Sequence, residues 1–485
     1  MLNFKSHSRN LKSYDAIIIG SGPNGLAAAI TMQQQGLSTL LIEGADTIGG
    51  GMRTKELTLP GFKHDVCSAI HPMALGSPFM RSLPLEQYGL SFEFADYQVS
   101  QPLDNGKSVN LHQDIQYMKE ELGVDFNKYQ SLLEPFVKNW DQLSNDILGP
   151  LKFPNHPLLM AKFGLSGLRS AQAIASEFQT VEAKALWAGM AAHGIMSFNK
   201  LSTAAIGLVL ATLGHKVGWP IPKGGSQAIA NAMAAYYESL DGEIQLNYWF
   251  EDLQDLPKHK VLILDMTPQQ ILKLKGLQLN ENYKKQLEEY RYGMGVFKID
   301  WALSEPTPFL DKRSQLAATV HLGNTFEEIA QTELDTFNGK LVDNPFVLFV
   351  QQSRFDSSRT PEGKHTGWAY CHVPHGSFAD RTSAIENQIE RFAPGFKDTI
   401  LARSSMNSQQ LEQYNPNYIG GDINAGQMDI FQLFTRPTRS FTPYRTSNPN
   451  VYIGSSSTPP AGGVHGMCGF HAARIALKDH YNIKI

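Results

Sequence analysis

Gly20, Gly22 and Gly25 stand in a G-x-G-x-x-G arrangement directly after an apolar run, Asp15-Ala16-Ile17-Ile18-Ile19. Each has a physical use if a dinucleotide binds here. Gly20 permits a tight turn, Gly22 lets the backbone approach a pyrophosphate, and Gly25 lets a following helix pack closely on the sheet. Ser21 lies within that turn. Free N–H groups and the dipole at the helix start would hold the phosphates. Glu43 can accept hydrogen bonds from both ribose hydroxyls, and its charge disfavours a 2′-phosphate.

The elements that must position these residues are legible around them. Residues 15–19 read as a buried parallel strand, apolar, β-rich and bounded by glycine. Leu26 to Gln35 is Ala-rich and helix-favouring, and Gly36 is a natural stop. Ser38 to Ile42 is a second apolar strand ending at Glu43. Strand, glycine turn, helix, strand and acid in this order supply the context that a lone glycine motif lacks. Gly49-Gly50-Gly51-Met52-Arg53-Thr54 follows, and resembles the GG-x-x-R-[ST] motif of many FAD-binding oxidoreductases. Gly50 and Gly51 would lie against the cofactor, and Arg53 would offer a fork-shaped donor to its pyrophosphate or flavin side. The expected cofactor is therefore FAD. Near the C-terminus a short apolar strand, residues 450–454, runs into a glycine loop and a helix from about Val464 to Lys478. Such a helix start could face the isoalloxazine.

The rest of the chain bounds the answer. Its 485 residues allow two to three domains, and 42% hydrophobic residues suffice for sizeable cores. A net charge of -4 gives no basic footprint for nucleic acid. Cys67, Cys371 and Cys468 lie far apart, so neither a redox dithiol nor a cysteine zinc site is encoded, and no metal is expected. Lys5, Arg9 and Lys12 form a basic N-terminal tail without an apolar h-region, so no secretory signal is expected. The run Leu201 to Leu213 is too short to span a bilayer, which suggests a cytoplasmic protein. Residues 112–215 read as mostly helical. Within them, Leu158 to Ile174, with Lys162 and Arg169, either packs or touches a membrane surface peripherally; packing is preferred. Helices are expected over 227–239 and 382–392. Strands are expected over 57–65 (as a hairpin), 242–246, 261–265, 292–302, 316–322, 346–352, 367–373 and 400–406. In the 292–302 strand, Val296, Lys298 and Asp300 share one side and Phe297, Ile299 and Trp301 the other. No second glycine motif follows a later strand, so oxygen or a quinone is expected as electron acceptor rather than a nicotinamide.

The opening block, PKGGSQAIANAM (222–233), RYGMGVFKIDWAL (291–303) and NVYIGSSSTPPAGGVHGMCGFHAARIAL (450–477) resemble the phytoene desaturase and carotenoid isomerase-like FAD oxidoreductases. LPGFKHDVCSAIHP (59–72), AYCHVPHGS (369–377), IENQIERFAPGFKDTIL (385–401) and NPNYIGGDINAG (415–426) are most similar to the branch of pyridine nucleotide-disulphide oxidoreductase domain-containing protein 2. The resemblance spans nearly the whole chain, although the cysteine spacing speaks against disulphide chemistry. It implies an α/β (α+β overall) fold. A Rossmann-type FAD domain would be assembled from residues 14–75, 215–270 and 420–485. A mostly antiparallel substrate domain would take 76–111 and 271–419, and a helical lid 112–214. It further implies FAD contacts at Gly20, Gly22, Gly25, Glu43, Gly50, Gly51 and Arg53, with Gly454, Gly463 and Val464 at the flavin end. Oxidation of an alcohol or amine would call for a base, and His465 is the first choice, followed by His71 and His372, with His375 also considered. A desaturase acting on an apolar, polyene or lipid-like substrate needs little such help. The competing expectation is a flavoprotein that acts mainly through protein or membrane interaction.

Overall fold

The computed structural model describes residues 12–485; most of the basic N-terminal tail, up to residue 11, lies outside the described residues. Two main sheets organise the chain. The first has five parallel strands in the order Val451–Ile453, Lys258–Leu264, Ser13–Ile19, Thr39–Ile42 and Glu243–Gln245. Its central strands are continuous apolar runs because helices cover both faces of a parallel sheet. The Pro23–Gln33 helix leaves the first strand and packs on Met467–Tyr481, the C-terminal helix, and on Gln227–Ser239. The contact with the C-terminal helix is close: a Cβ on Gly469 would lie 1.8 Å from Asn24 O. Chain segments far apart in sequence are thus clasped at the end of the first sheet where the Gly20 turn lies.

The second sheet has seven strands in the order Ile400–Met406, Gly295–Leu303, His365–Val373, Val347–Val350, Ala317–Leu322, Tyr97–Pro102 and Ser108–Leu111. All neighbours are antiparallel except Ala317–Leu322 and Tyr97–Pro102, which run parallel. One face, with Phe297, Ile299, Trp301 and Phe349, packs on Ile385 and Ile389 of the Thr382–Phe392 helix. The other face, with Val296, Leu348, Val350 and Trp368, joins the core shared with the helical segment. Every residue of Gly295–Leu303 is consequently buried, including Lys298 and Asp300, which pair with each other.

The helical segment is a tertiary cluster. Ala204–Lys216 packs on Val181–Ala192 and on Phe126–Lys138, with Gly207 admitting the Trp187 ring. Two expectations are corrected. The C-terminal helix begins at Met467, not Val464, because Gly463 (φ +135°) and Gly466 (φ +70°) hold the preceding loop outside helical geometry. The hairpin after the GG motif pairs Thr54–Glu56 with Lys63–Asp65, so its first strand lies earlier than 57–59. Leu158 to Ile174 packs as expected through Phe163, Ala171 and Ile174, with Phe163 edge-on to Phe136, but the Pro157–Gly167 helix has a second, open face. Only Phe163 and Gly167 are buried there, while Leu158 is 89% and Leu165 77% exposed.

Candidate functional site

One cavity of about 660 Å³ begins at the Gly20 turn and ends beneath the second sheet. At its first end the backbone is drawn in so tightly that side chains are excluded. Gly20 has φ +93°, and a Cβ on Gly22 would lie 2.9 Å from Asp265 Oδ2. Gly50, at φ +54°, approaches Gly22 so closely that its own Cβ would stand 3.0 Å from Gly22 Cα. Gly25 lies within the first turn of its helix, where its N–H donates to Asp265 Oδ2 at 2.9 Å. Burial pushes the Asp265 carboxyl up to about 7; the nearby Glu43 charge adds to this and the Gly25 N–H opposes it.

Glu43 lines this end and is heavily supported. It accepts from Ser21 N at 3.0 Å, Ser21 Oγ at 2.6 Å and Ala45 N at 2.9 Å. Arg53 Nη2 lies 3.2 Å from Glu43 Oε1 and also donates to Thr47 O at 2.8 Å, over the Tyr414 ring. Arg53 thus ties the 45–53 loop together, and its guanidinium is committed to protein partners. Gly51, Gly463 and Val464 line the same cavity. Gly454 does not: it packs against Ala472, Ile263 and Gly469, where a larger residue would part strand from helix.

The far end is walled by Leu210, Trp219, Leu348, Val350, Trp368 and Tyr370, a largely apolar and aromatic surface. Cys67 lies where the two ends join, and burial raises its thiol pKa, so a thiolate is disfavoured. The structure reorders the histidines. His465 is fully buried behind the cavity, its Nε2 3.0 Å from Ala461 O and its Nδ1 accepting from Met467 N at 3.0 Å. With both ring nitrogens spent on backbone it has none left for substrate, and the first choice is corrected. His372 directs Nδ1 at both Glu333 oxygens, 2.8 and 2.9 Å away, and does not line the cavity. His375 is exposed and bonded to Gly293 O. His71 does line it, with Nε2 2.8 Å from Ser226 Oγ. Sequence reasoning missed His193, which caps the apolar Val181–Ala192 helix and also lines the cavity. A histidine closing an otherwise apolar helix was the available signal. Among the described residues, no group of three His, Cys, Asp or Glu side chains could hold a metal ion.

The residues present fit FAD. The glycine cradle admits only backbone against a pyrophosphate, Glu43 stands ready for a ribose, and Gly463 and Val464 lie along the same cavity for the flavin end. Glu43 and the Gly20–Gly25 turn would hold the adenosine and pyrophosphate, and Gly51, Gly463 and Val464 the isoalloxazine. Fold and site define a Rossmann-type dinucleotide-binding chain with a cradle that fits FAD. The family model for an NAD(P)-binding Rossmann-like domain matches residues 18–81. The chain is 23% identical to pyridine nucleotide-disulfide oxidoreductase domain-containing protein 2 of Mus musculus, over 99% of this chain and 96% of the mouse protein. It is 24% identical to the lycopene-forming phytoene desaturase of Pseudescherichia vulneris, over 95% of this chain and 98% of that one. Putrescine oxidase, solved with putrescine bound, superposes with a TM-score of 0.63 at 16% identity, covering 97% of this chain and all (100%) of that one.

Proposed function

We propose that this chain is an FAD-dependent oxidoreductase that dehydrogenates or isomerises a mainly apolar substrate. The observation that carries this reading is the single cavity: a dinucleotide cradle at one end opens without a break into an apolar, aromatic chamber at the other. FAD, when bound, supplies a two-electron acceptor for a C–H bond placed against it. The chain's own task is to bind, orient and keep dry. Trp219, Trp368 and Tyr370 line the chamber and would align a hydrophobic substrate, and Leu210, Leu348 and Val350 would exclude water. Oxygen or a quinone is the proposed final acceptor.

A second reading, alcohol or amine oxidation, is favoured by one observation: two histidines interrupt the apolar wall. Both readings share a test. Protein loaded with FAD is titrated anaerobically with polyene, alcohol and amine substrates while the flavin's visible band is followed. Bleaching by at least one class is expected, and hydrogen peroxide release on admitting air identifies oxygen as acceptor. A flavin that none of these classes reduces would overturn the proposal in favour of a role in protein or membrane interaction.

A further inference from the structure

The carboxyl group of Asp265 sits inside the glycine cradle. Asp265 directly follows the Lys258–Leu264 strand, and its N–H donates to Ile19 O at 2.8 Å, which pins it beside the Gly20 turn. All three glycines of the motif lie against it. A Cβ on Gly20 would stand 3.0 Å from Asp265 O, and Cβ atoms on Gly22 and Gly25 would stand 2.9 and 3.3 Å from Asp265 Oδ2. Oδ2 also accepts the Gly25 N–H at 2.9 Å, one of the donors that the start of the Pro23–Gln33 helix offers to an anion. Asp265 lines the cavity and keeps accessible surface there. The cradle that fits a pyrophosphate thus already holds an acidic group.

The surroundings do not neutralise that acid. Residues 20–33, which form the turn and its helix, contain no charged side chain, and neither does the loop of residues 454–463 after the Val451–Ile453 strand. Glu43, just beyond the neighbouring Thr39–Ile42 strand, adds a negative charge of its own, which Arg53 answers at 3.2 Å. Cys468 approaches from the C-terminal helix as a neutral thiol, pushed up to about 12 by burial. Tyr414 and Tyr418 line the same cavity, and burial holds their hydroxyls above the usual range. Burial lifts Asp265 itself to about 7; Glu43 adds to the rise and the Gly25 N–H opposes it. A pyrophosphate diester is a dianion at neutral pH. Beside an ionised carboxylate in so enclosed a cavity it would be repelled with little water to screen the charges.

We propose that Asp265 is a cofactor-binding residue that takes up a proton from solvent as the dinucleotide enters, so that the pyrophosphate meets a neutral acid in place of a second anion. This rests on the FAD reading of the cradle and adds a proton linkage to it. The neutral carboxyl keeps an oxygen to accept the Gly25 N–H and gains an O–H, a donor of the kind that a phosphate oxygen accepts. The sign follows from linkage. Below about 7 the free chain already carries the proton, so affinity is constant; above it the proton must be drawn from solvent, and affinity falls about tenfold for each further pH unit.

The test titrates the full chain, freed of flavin, with FAD between about pH 6 and pH 8, and reads the dissociation constant from flavin fluorescence. The native chain is expected to bind about tenfold more weakly near pH 8 than near pH 6. Asp265→Asn, which keeps an oxygen for the Gly25 N–H, should bind equally at both; Asp265→Ser gives the same reading should the first variant not fold. Calorimetry in buffers of different ionisation enthalpy counts the proton directly: near pH 8 the native chain should take up about one per FAD and the variant none. An affinity that is flat over this range, with no proton taken up, would overturn the proposal. So would a slope that the uncharged variants retain. A folded native chain that binds no FAD at any pH sinks the cofactor reading and this proposal with it, whereas binding without pH dependence sinks the proposal alone.

Discussion

A methyl group on Gly25 would lie 1.8 Å from Gly20 O, so the turn cannot close around any larger residue. Gly25→Ala should therefore lower FAD affinity by at least about tenfold, measured by equilibrium dialysis, with far-ultraviolet circular dichroism unchanged. Full retention of affinity would show that the turn is not the cradle. Asp265 makes a different expectation. Its folded pKa is raised to about 7 by burial, so the fold favours the protonated form. The stability this contributes is present below the ordinary carboxyl range and is lost as pH rises through about 7. Asp265→Asn keeps an acceptor for the Gly25 N–H and removes that loss. The melting temperature of the variant should exceed the native one by about 2 °C or more at pH 8 and converge with it near pH 4. A constant difference across that range would refute the assignment. At this scale the sequence was informative where backbone geometry is the requirement, as at Gly20 and Gly22, which no side chain can replace. It was uninformative for His465 and His193. The His465 partners, Ala461 and Met467, lie within four positions, but the loop geometry that turns the ring onto them follows no period, and the His193 partner, His321, lies on a distant strand.

Among the elements, the Ser13–Ile19 and Lys258–Leu264 strands and the Gln227–Ser239 and Thr382–Phe392 helices were legible, because one period or one continuous apolar run describes each. The Pro157–Gly167 helix was not. Its apolar residues have the composition of a core helix, yet Leu158 and Leu165 project outward beside exposed Lys162, with Phe153 (86% exposed) just before them. No helix among the described residues is long and apolar enough to cross a membrane. We propose that this helix rests on an anionic lipid surface, its leucines in the acyl boundary and Lys162 against the headgroups, beside a cavity suited to apolar substrates. Vesicles containing phosphatidylglycerol should sediment the native chain. The double variant Leu158→Ser/Leu165→Ser should bind them at least about tenfold less, since two leucines give up their burial. Equal sedimentation would place the contact elsewhere.

At the scale of the whole molecule, the hairpin after the glycine loop is tied to the second sheet by charges removed from water. Asp65 ends the Thr54–Asp65 hairpin and accepts from Thr54 Oγ1 at 2.7 Å, Ser226 N at 2.8 Å and Arg359 Nη2 at 3.1 Å. Arg359, fully buried, comes from the connection between two strands of the second sheet and also pairs with Asp356 at 2.9 Å. Asp356 in turn accepts from Gly224 N at 2.7 Å. Burial pushes the Asp65 carboxyl up, but Arg359 and the hydrogen bonds outweigh it and hold the pKa below the ordinary value. The stability it contributes is thus present at neutral pH and is lost as pH falls through the acidic folded pKa. Arg359→Met strands two buried carboxylates and should cost about 3–5 kcal/mol at pH 7. Adding Asp65→Asn should recover part of it, because the stranded charge is gone. Denaturant titration of the native chain and both variants reads these differences. A variant as stable as the native chain would mean that the hairpin is held to the second sheet by apolar contact alone.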